Sequence, residues 1–246
     1  LRLISLKPTR FMLRMTPLAP SSSKLDDGNV QENASKRMSI DPERLEERDQ
    51  YKLMTGSIVP RPIALVTTLG PGGVNAAPFS LFNIVGTSPP LLMFSVCNQA
   101  NGSEKDTIQN LRRLPECVVH ICSSAIAERM NVCATDFPAD VSEIDMAGFT
   151  ALASHKVRPP RIKEAPVQME CRVIRILDLG SDHHNHVVFG EVVLFHFHDG
   201  IVNERYYVDV SILDPIGKLA GPLYTRVSDT FRMERQFLGE KPALLT

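Results

Sequence analysis

PRPIALVTTLGPGGVNAAPFSLFNIVGTSPPLLMFSVCNQANGSEKDTIQN, residues Pro60–Asn110, carries the pattern that decides the fold. Ile63–Leu69 is a continuous apolar, β-branched run of strand length, which suits a buried strand. Gly70-Pro71-Gly72-Gly73 is a turn, because glycine tolerates positive φ and proline fixes φ for a bend. Val74–Ala77 returns as the second strand of a hairpin. Pro78 and the pair Pro89-Pro90 cannot donate to a central ladder. Between them Phe79–Asn83 mixes polar groups with large apolar ones and is expected as an irregular bend. Leu91–Val96 is a further buried strand, and Lys105-Asp106-Thr107 opens a short helix ending near Pro115. Asp106 with Gln109 has capping-box spacing, which puts the first helical residue at Thr107. Strand edges, small polar groups and a cationic helix start are the parts needed to hold a flat aromatic ligand with an anionic tail.

Outward from this stretch, Asp41-Pro42-Glu43 is expected to start a helix running to about Leu53, with Thr55-Gly56-Ser57 ending it. Cys117–Cys122, Val167–Leu177 and Val187–Phe197 are strands, with Val187, Phe189, Val193, Phe195 and Phe197 on one face of the last. Gly190 in mid-strand predicts a bulge or a close approach. Strands outnumber helices, so the fold class is mainly β, a β-barrel with peripheral helices. Leu1–Lys24 holds Arg2, Lys7, Arg10, Arg14 and Lys24 and no acidic residue. Residues 1–37 are therefore a flexible extension, read either as an organellar targeting segment or as an extension without a fold. Residues 38–230 form the folded domain and 231–246 a tail. A balance of 27 basic against 28 acidic residues gives no nucleic-acid footprint. No apolar run reaches the ~20 residues that span a bilayer. Five cysteines without Cys-x-x-Cys spacing suit free buried thiols in a reducing, intracellular compartment, cytoplasmic or mitochondrial according to the nature of the extension.

The motifs Arg61-Pro62-Ile63-Ala64, Val66-Thr67-Thr68, Asn75–Ser80, Phe82-Asn83, Pro89-Pro90-Leu91, Ser95 and Lys105-Asp106-Thr107 follow one another in a recognisable order. With His186–Val192 and Asp214–Tyr224, this sequence resembles the flavin reductase-like, FMN-binding split-barrel family. That family includes flavoredoxins and the reductase components of two-component monooxygenases such as nitrilotriacetate monooxygenase. The resemblance runs from about Met38 to Val227. The late loop departs from it: Lys218-Leu219-Ala220-Gly221 stands where the family has Arg-Leu-Gly-Gly, and lysine lacks arginine's planar fork.

The resemblance implies an FMN-binding split barrel acting as a homodimer, with NADH or NADPH as transient electron donor and a partner oxygenase as one destination for the electrons. The alternatives are a non-catalytic FMN electron carrier and, further off, a haem-binding or structural barrel. From the residues alone, the Lys105-Asp106-Thr107 helix start either holds an anion or meets solvent. The resemblance implies the FMN phosphate there, with Ser95 adding a donor and Arg61 a second candidate for the phosphate or the ring edge. Backbone freed from pairing around Pro78-Phe79-Ser80, and the amides of Asn75 and Asn83, suit the pyrimidine end of an isoalloxazine. Phe79 and Phe82 either pack on the ring or belong to the core. Pro62, Thr67 and Tyr224 enter the cofactor set through their motifs. His186 is the catalytic candidate, acting by charge or bulk near the flavin or nicotinamide, since hydride transfer belongs to the cofactor. His183, His184, His186, His196 and His198 raise a metal reading, but no carboxylate or cysteine spacing completes a site. No Gly-x-Gly-x-x-Gly, Walker loop or Gly-x-Ser-x-Gly elbow is present.

Overall fold

The computed structural model describes residues 38–138, 141–180 and 184–233. Residues Pro42–Thr246 form one compact unit; of the other, Leu1–Asp41, only Met38–Asp41 are described, exposed and without regular structure. The extension read over residues 1–37, His183, and all but the first three residues of the tail lie outside the described residues.

The centre of the unit is a seven-stranded antiparallel sheet. Its strands are β1 (Ala64–Gly70), β2 (Gly73–Phe79), β3 (Phe82–Thr87), β4 (Pro90–Cys97), β5 (Glu116–Ile121), β8 (Val167–Leu179) and β9 (Asn185–Phe197). Short hairpins β6 (Ala151–Leu152) with β7 (Arg161–Ile162), and β10 (Ile216–Lys218) with β11 (Tyr224–Arg226), lie outside it. The strand order is β2-β1-β5-β8-β9-β4-β3. The two edge strands, β2 and β3, are consecutive in the chain and separated only by Ser80 and Leu81. The sheet must therefore curl until its edges meet, and Ser95 N–H, donating to Leu81 C=O at 2.8 Å, carries the β3–β4 ladder up to that corner. The result is a split β-barrel with peripheral helices. Its core is apolar on both sides of the curled sheet, one cluster around Val66, Phe94, Leu111 and Val188 and another around Leu65, Met130, Ile144 and Ile162.

Three expectations change. Phe82–Thr87 is an edge strand with a bulge at Val85, so the bend between Pro78 and Asn83 shrinks to two residues. β3 is exposed at Asn83, Ile84 and Val85, and a strand with little buried on either face shows no period-2 signal. On β9 the face turned inward is His186, Val188, Gly190 and Val192, with Phe189 on the other face. The register shift beside Val193 then puts Phe195 and Phe197, paired with Met169 and Val167, on the same face as Val192. A Cβ at Gly190 would lie 3.4–3.5 Å from Leu92 and Cys171, and the register shift of the neighbouring strand falls opposite it, between Val173 and Arg175. The predicted first helix is a 3₁₀ turn, Pro42–Arg44, followed by a separate helix α1 (Glu47–Ser57) that extends past Thr55.

Helix α2 (Asp106–Arg113) lies on the β1–β2 hairpin. Asn110 Nδ2 donates to Thr68 Oγ1 at 3.1 Å, and Asn75 Nδ2 to Thr107 Oγ1 at 3.1 Å. The approach is so close that a Cβ at Gly70 would sit 2.0 Å from Asn110 Oδ1, which only glycine permits. Helices α3 (Ala127–Val132), α4 (Glu143–Met146) and α5 (Val210–Leu213) are short. Among the described residues no helix is long and apolar enough to cross a membrane. All five cysteines are free thiols, four buried and Cys97 exposed.

Candidate functional site

The seam of the barrel opens into a cleft of about 290 Å³. Its walls follow from the topology. The end of β2 is an edge, so alternate backbone groups face the cleft rather than a neighbouring strand. Ala76 N–H, on that edge, is taken by the Glu143 carboxyl, and Pro78, two residues on, has no N–H to leave unpaired there. β4 brings Ser95 and Cys97, and the hydrogen bonds from Asn75 and Asn110 pin the start of α2 beside them. Of the residues singled out in the sequence, Asn75, Pro78, Phe79, Ser80, Ser95, Lys105, Asp106 and Thr107 line this one cleft. Phe79 does so from within the core, stacked on Phe94 with ring centroids 5.5 Å apart.

The start of α2 differs from the predicted capping box. Lys105 occupies the N-cap with φ −65° and ψ 151°, the first helical residue is Asp106, and no side chain caps this end. Gln109 Nε2 donates instead to Glu104 C=O at 2.8 Å. A lysine side chain cannot accept a hydrogen bond, so the N–H groups of Asp106 and Thr107 stay available to a ligand, while that of Ile108 donates to Lys105 C=O at 2.9 Å, and the helix dipole favours an anion there. Thr107 Oγ1 accepts from Asn75, and its own hydroxyl hydrogen is not committed to another described residue. Lys105 Nζ pairs with the exposed Asp136 at 3.0 Å, a surface contact of small energy that a stronger anion can displace.

The other predicted residues lie elsewhere. Arg61 is 5% exposed and spends its guanidinium on the protein: Nη1 donates to Thr55 C=O and, at 2.9 Å, to Ile58 C=O, Nη2 to Leu219 C=O at 3.1 Å, and Nε to Ser80 Oγ at 3.4 Å. It thus touches the cleft only through Ser80. Thr67 is buried on the other face of β1 from Val66, away from the cleft, and donates to Pro160 C=O at 2.6 Å. Pro62 and Asn83 border a separate apolar groove, lined by Phe82, Leu92, Val192, Phe195 and Phe197. Tyr224 sits under Lys218 Nζ, 4.2 Å from the ring centroid, and Lys218 also donates to Gly221 and Leu223 C=O. The lysine that replaces arginine in the late loop therefore holds that loop together. Burial, with the nearby Arg61, lowers its ammonium pKa.

His186 is buried behind α2, with Nδ1 2.7 Å from Asp178 Oδ1 and Nε2 2.8 Å from Asn98 Oδ1. The His186 bond, then that from Arg112, holds the Asp178 carboxyl below its usual range against partial burial. Both ring nitrogens are engaged, so His186 braces the segment leading into α2. His196 and His198 diverge, to Glu170 Oε1 at 2.7 Å and Lys163 C=O at 2.9 Å. Among the described residues no three His, Cys, Asp or Glu converge on a point.

Sequence reasoning missed Tyr51, on the exposed rim from α1, the turn Cys133–Phe137, and Glu143. Glu143 is 8% exposed and its Oε2 accepts the edge N–H of Ala76 at 2.9 Å. Burial, with Asp106 beside it, pushes its carboxyl above the usual range, and the Ala76 N–H opposes this in part. Nothing local in the sequence marks a contact made across 67 residues. Burial pushes the Cys133 thiol up to about 12, and burial with Glu47 raises Cys97, so neither lining thiol is an activated nucleophile. The cleft is built to bind: edge backbone, hydroxyls, an aromatic floor, one ammonium and an uncapped helix start. Those groups suit a planar heteroaromatic with a phosphate, and redox chemistry would have to come from that ligand.

Residues 55–212 match the flavin reductase like domain family. An uncharacterised protein of Aquifex aeolicus is 40% identical over 72% of this chain and 89% of its own. Nitrilotriacetate monooxygenase component B from Bacillus cereus superposes with a TM-score of 0.77 at 38% identity, covering 80% of this chain and 98% of that one. The 2-nitrobenzoate 2-nitroreductase of Pseudomonas fluorescens gives 0.75 at 36% identity, over 83% and 99%.

Proposed function

The chain belongs to the flavin reductase like family, and we propose that it binds FMN in the seam of the split barrel and passes electrons to it from NADH or NADPH. The observation that carries this reading is the convergence, at the seam, of the β2 edge, Ser95 and the uncapped start of α2 with Lys105 and Thr107. The residues fit the cofactor: the edge backbone around Pro78–Ser80 meets the alternating donors and acceptors of the ring, and Lys105, Thr107 and the first-turn N–H groups meet the phosphate. Bound FMN supplies the hydride-accepting centre. The chain positions the ring against Phe79, holds the phosphate, and screens one face from water with the barrel wall. The absence of a dinucleotide-binding motif in the sequence fits a nicotinamide that visits without a domain of its own. Likeness to a monooxygenase component supports a partner oxygenase as an electron acceptor.

The test is the visible spectrum of the purified protein with FMN, followed by NADH or NADPH without oxygen. Broad flavin bands that bleach on addition of the nicotinamide are expected; bound flavin that never bleaches would leave an electron carrier, and no flavin binding would end the reading. Lys105→Ala is expected to weaken FMN about tenfold while leaving riboflavin nearly unchanged, the loss of about 1.4 kcal/mol that one partly exposed charge pair provides. Titration of flavin fluorescence reads both.

The same reading includes a homodimer. Phe195 and Phe197 of β9 and the edge strand β3 line an apolar groove of about 500 Å³ with Leu91, Val208 and Leu213, in which Ile84 and Phe195 are exposed. A continuous apolar face of this kind suits a self-complementary partner. Sedimentation at micromolar concentration is expected to give a dimer, and Ile84→Glu a monomer; a wild-type monomer would refute it.

A further inference from the structure

We propose that Glu143 sets the cleft's preference between phosphorylated and unphosphorylated flavin, admitting the phosphate as a carboxylic acid and opposing it as a carboxylate. The inference rests on the FMN reading and adds a determinant that reading does not contain. The cleft is lined by three carboxyl groups, Asp106, Asp136 and Glu143, against one ammonium, Lys105. Asp136 is exposed and paired with that ammonium. Glu143 is not: its Oε2 takes the Ala76 N–H, and no other side chain donates to the carboxylate among the described residues. It is more than nine-tenths buried, yet it lines the same cleft as Lys105 and Thr107, the groups assigned to the phosphate.

The surroundings of Glu143 make protonation the natural way to admit an anion. From α2 it faces Asp106, a like charge, with Lys105 before it and Arg113 on the neighbouring cavity that Glu143 also lines. From the end of α3 it faces the Cys133 thiol, which stays neutral. From β2 it meets only backbone and the Asn75 amide, and across the cleft Tyr51. Burial, and to a smaller extent Asp106, favour the protonated form and outweigh the N–H groups of Ala76 and of Glu143 itself, which favour the carboxylate. A phosphate arriving beside them adds negative charge and raises the proton affinity further, so the carboxylate takes one proton from solvent as the phosphate binds. A neutral flavin brings no such charge and takes up none.

The experiment compares FMN and riboflavin on wild type and Glu143→Gln, whose amide oxygen still accepts from Ala76. At pH 8 the variant is expected to bind FMN about tenfold or more tightly than wild type, the scale of one removed like charge near the protein surface, with riboflavin within about twofold. Calorimetry of wild type at pH 7.5 in buffers of different ionisation enthalpy needs no variant. FMN phosphate is then largely dianionic, and proton uptake is expected with FMN and none with riboflavin. Equal FMN-to-riboflavin ratios in the two proteins, or FMN binding without proton uptake, overturn the role of Glu143 while the flavin reading stands. If neither flavin binds either protein, the flavin reading fails and this inference falls with it.

Discussion

Arg61→Ala is expected to lower the unfolding free energy by about 3–5 kcal/mol, read as a large fall in the urea midpoint. The residue carries a full charge at 5% exposure, which is tolerable only because nearly every guanidinium donor is spent. Two of its acceptors, Thr55 and Ile58 C=O, belong to the C-terminal end of α1, where the helix dipole favours a cation. A third, Leu219 C=O, belongs to the late loop, which is also tied to Arg61 by reciprocal backbone bonds with Lys218 at 3.0 and 2.8 Å. Alanine would leave these buried carbonyls without donors and detach α1 and the loop from the strand that leads to the seam. Arg61→Lys keeps the charge but loses the planar fork, and is expected to recover only part of the stability. The result also decides between two roles. A bracket loses stability first and flavin affinity only as a consequence. If Arg61→Ala leaves the urea midpoint unmoved and weakens FMN alone, Arg61 is a phosphate contact and the bracket is wrong.

Arg61 shows what a sequence conceals. Its place in the motif was legible, but the three carbonyls that fix its direction come from residues 55, 58 and 219, and the last is 158 positions away. The parts of the candidate site that could be read were those held together by short-range structure. Asn75 through Ser80, Ser95 and Lys105–Thr107 lie on a hairpin, a following strand and a following helix, so their order in the chain is nearly their order in space. Glu143, Asp136 and Tyr51 reach the same cleft by tertiary packing, and no local pattern announces it. Strand existence was legible wherever one face is buried, as in Ile63–Leu69 or Cys117–Cys122. It failed at β3, whose edge position removes the alternation. On β9 the large residues suggested a single face, yet the barrel interior takes His186, Val188, Gly190 and Val192, and the register shift beside Val193 brings Phe195 and Phe197 back to that side; a change of parity within one strand leaves no local signal. The capping box failed for a different reason: Lys105 took the cap position, and Gln109 found a backbone acceptor at Glu104.

His120 provides the second large effect, and its sign can be worked out. The ring is fully buried between β1, β5 and β7. Nδ1–H donates to Leu65 C=O at 2.8 Å, and Nε2 accepts from Ile162 N–H at 2.9 Å, so the neutral tautomer is fixed by its two neighbours. A proton on Nε2 would face the Ile162 N–H with no acceptor. Burial is the main cause that lowers the pKa to about 4, the Arg161 charge adds to it, and the bond to Leu65 opposes it. The unfolded value is near 6.5. Because the folded pKa is depressed, the contribution is complete above about pH 6.5 and is lost as pH falls toward 4, about 3 kcal/mol in all at nearly one proton per molecule. The carboxylates whose values are lowered in the fold, Glu164, Glu170 and Asp178 with the exposed Asp49 and Asp209, contribute their own loss only further down. Glu143, raised in the fold, works in the opposite sense and is common to wild type and variant. His120→Asn should therefore be less stable than wild type at pH 7.5, by about 2–4 kcal/mol from the two broken bonds and the lost packing, and the difference should shrink steadily toward pH 4.5. Urea unfolding of both proteins across that range reads it directly. Parallel stability curves would mean that His120 does not hold a proton apart from its neighbours, and that the link from β5 to Leu65 and Ile162 does not depend on a neutral ring.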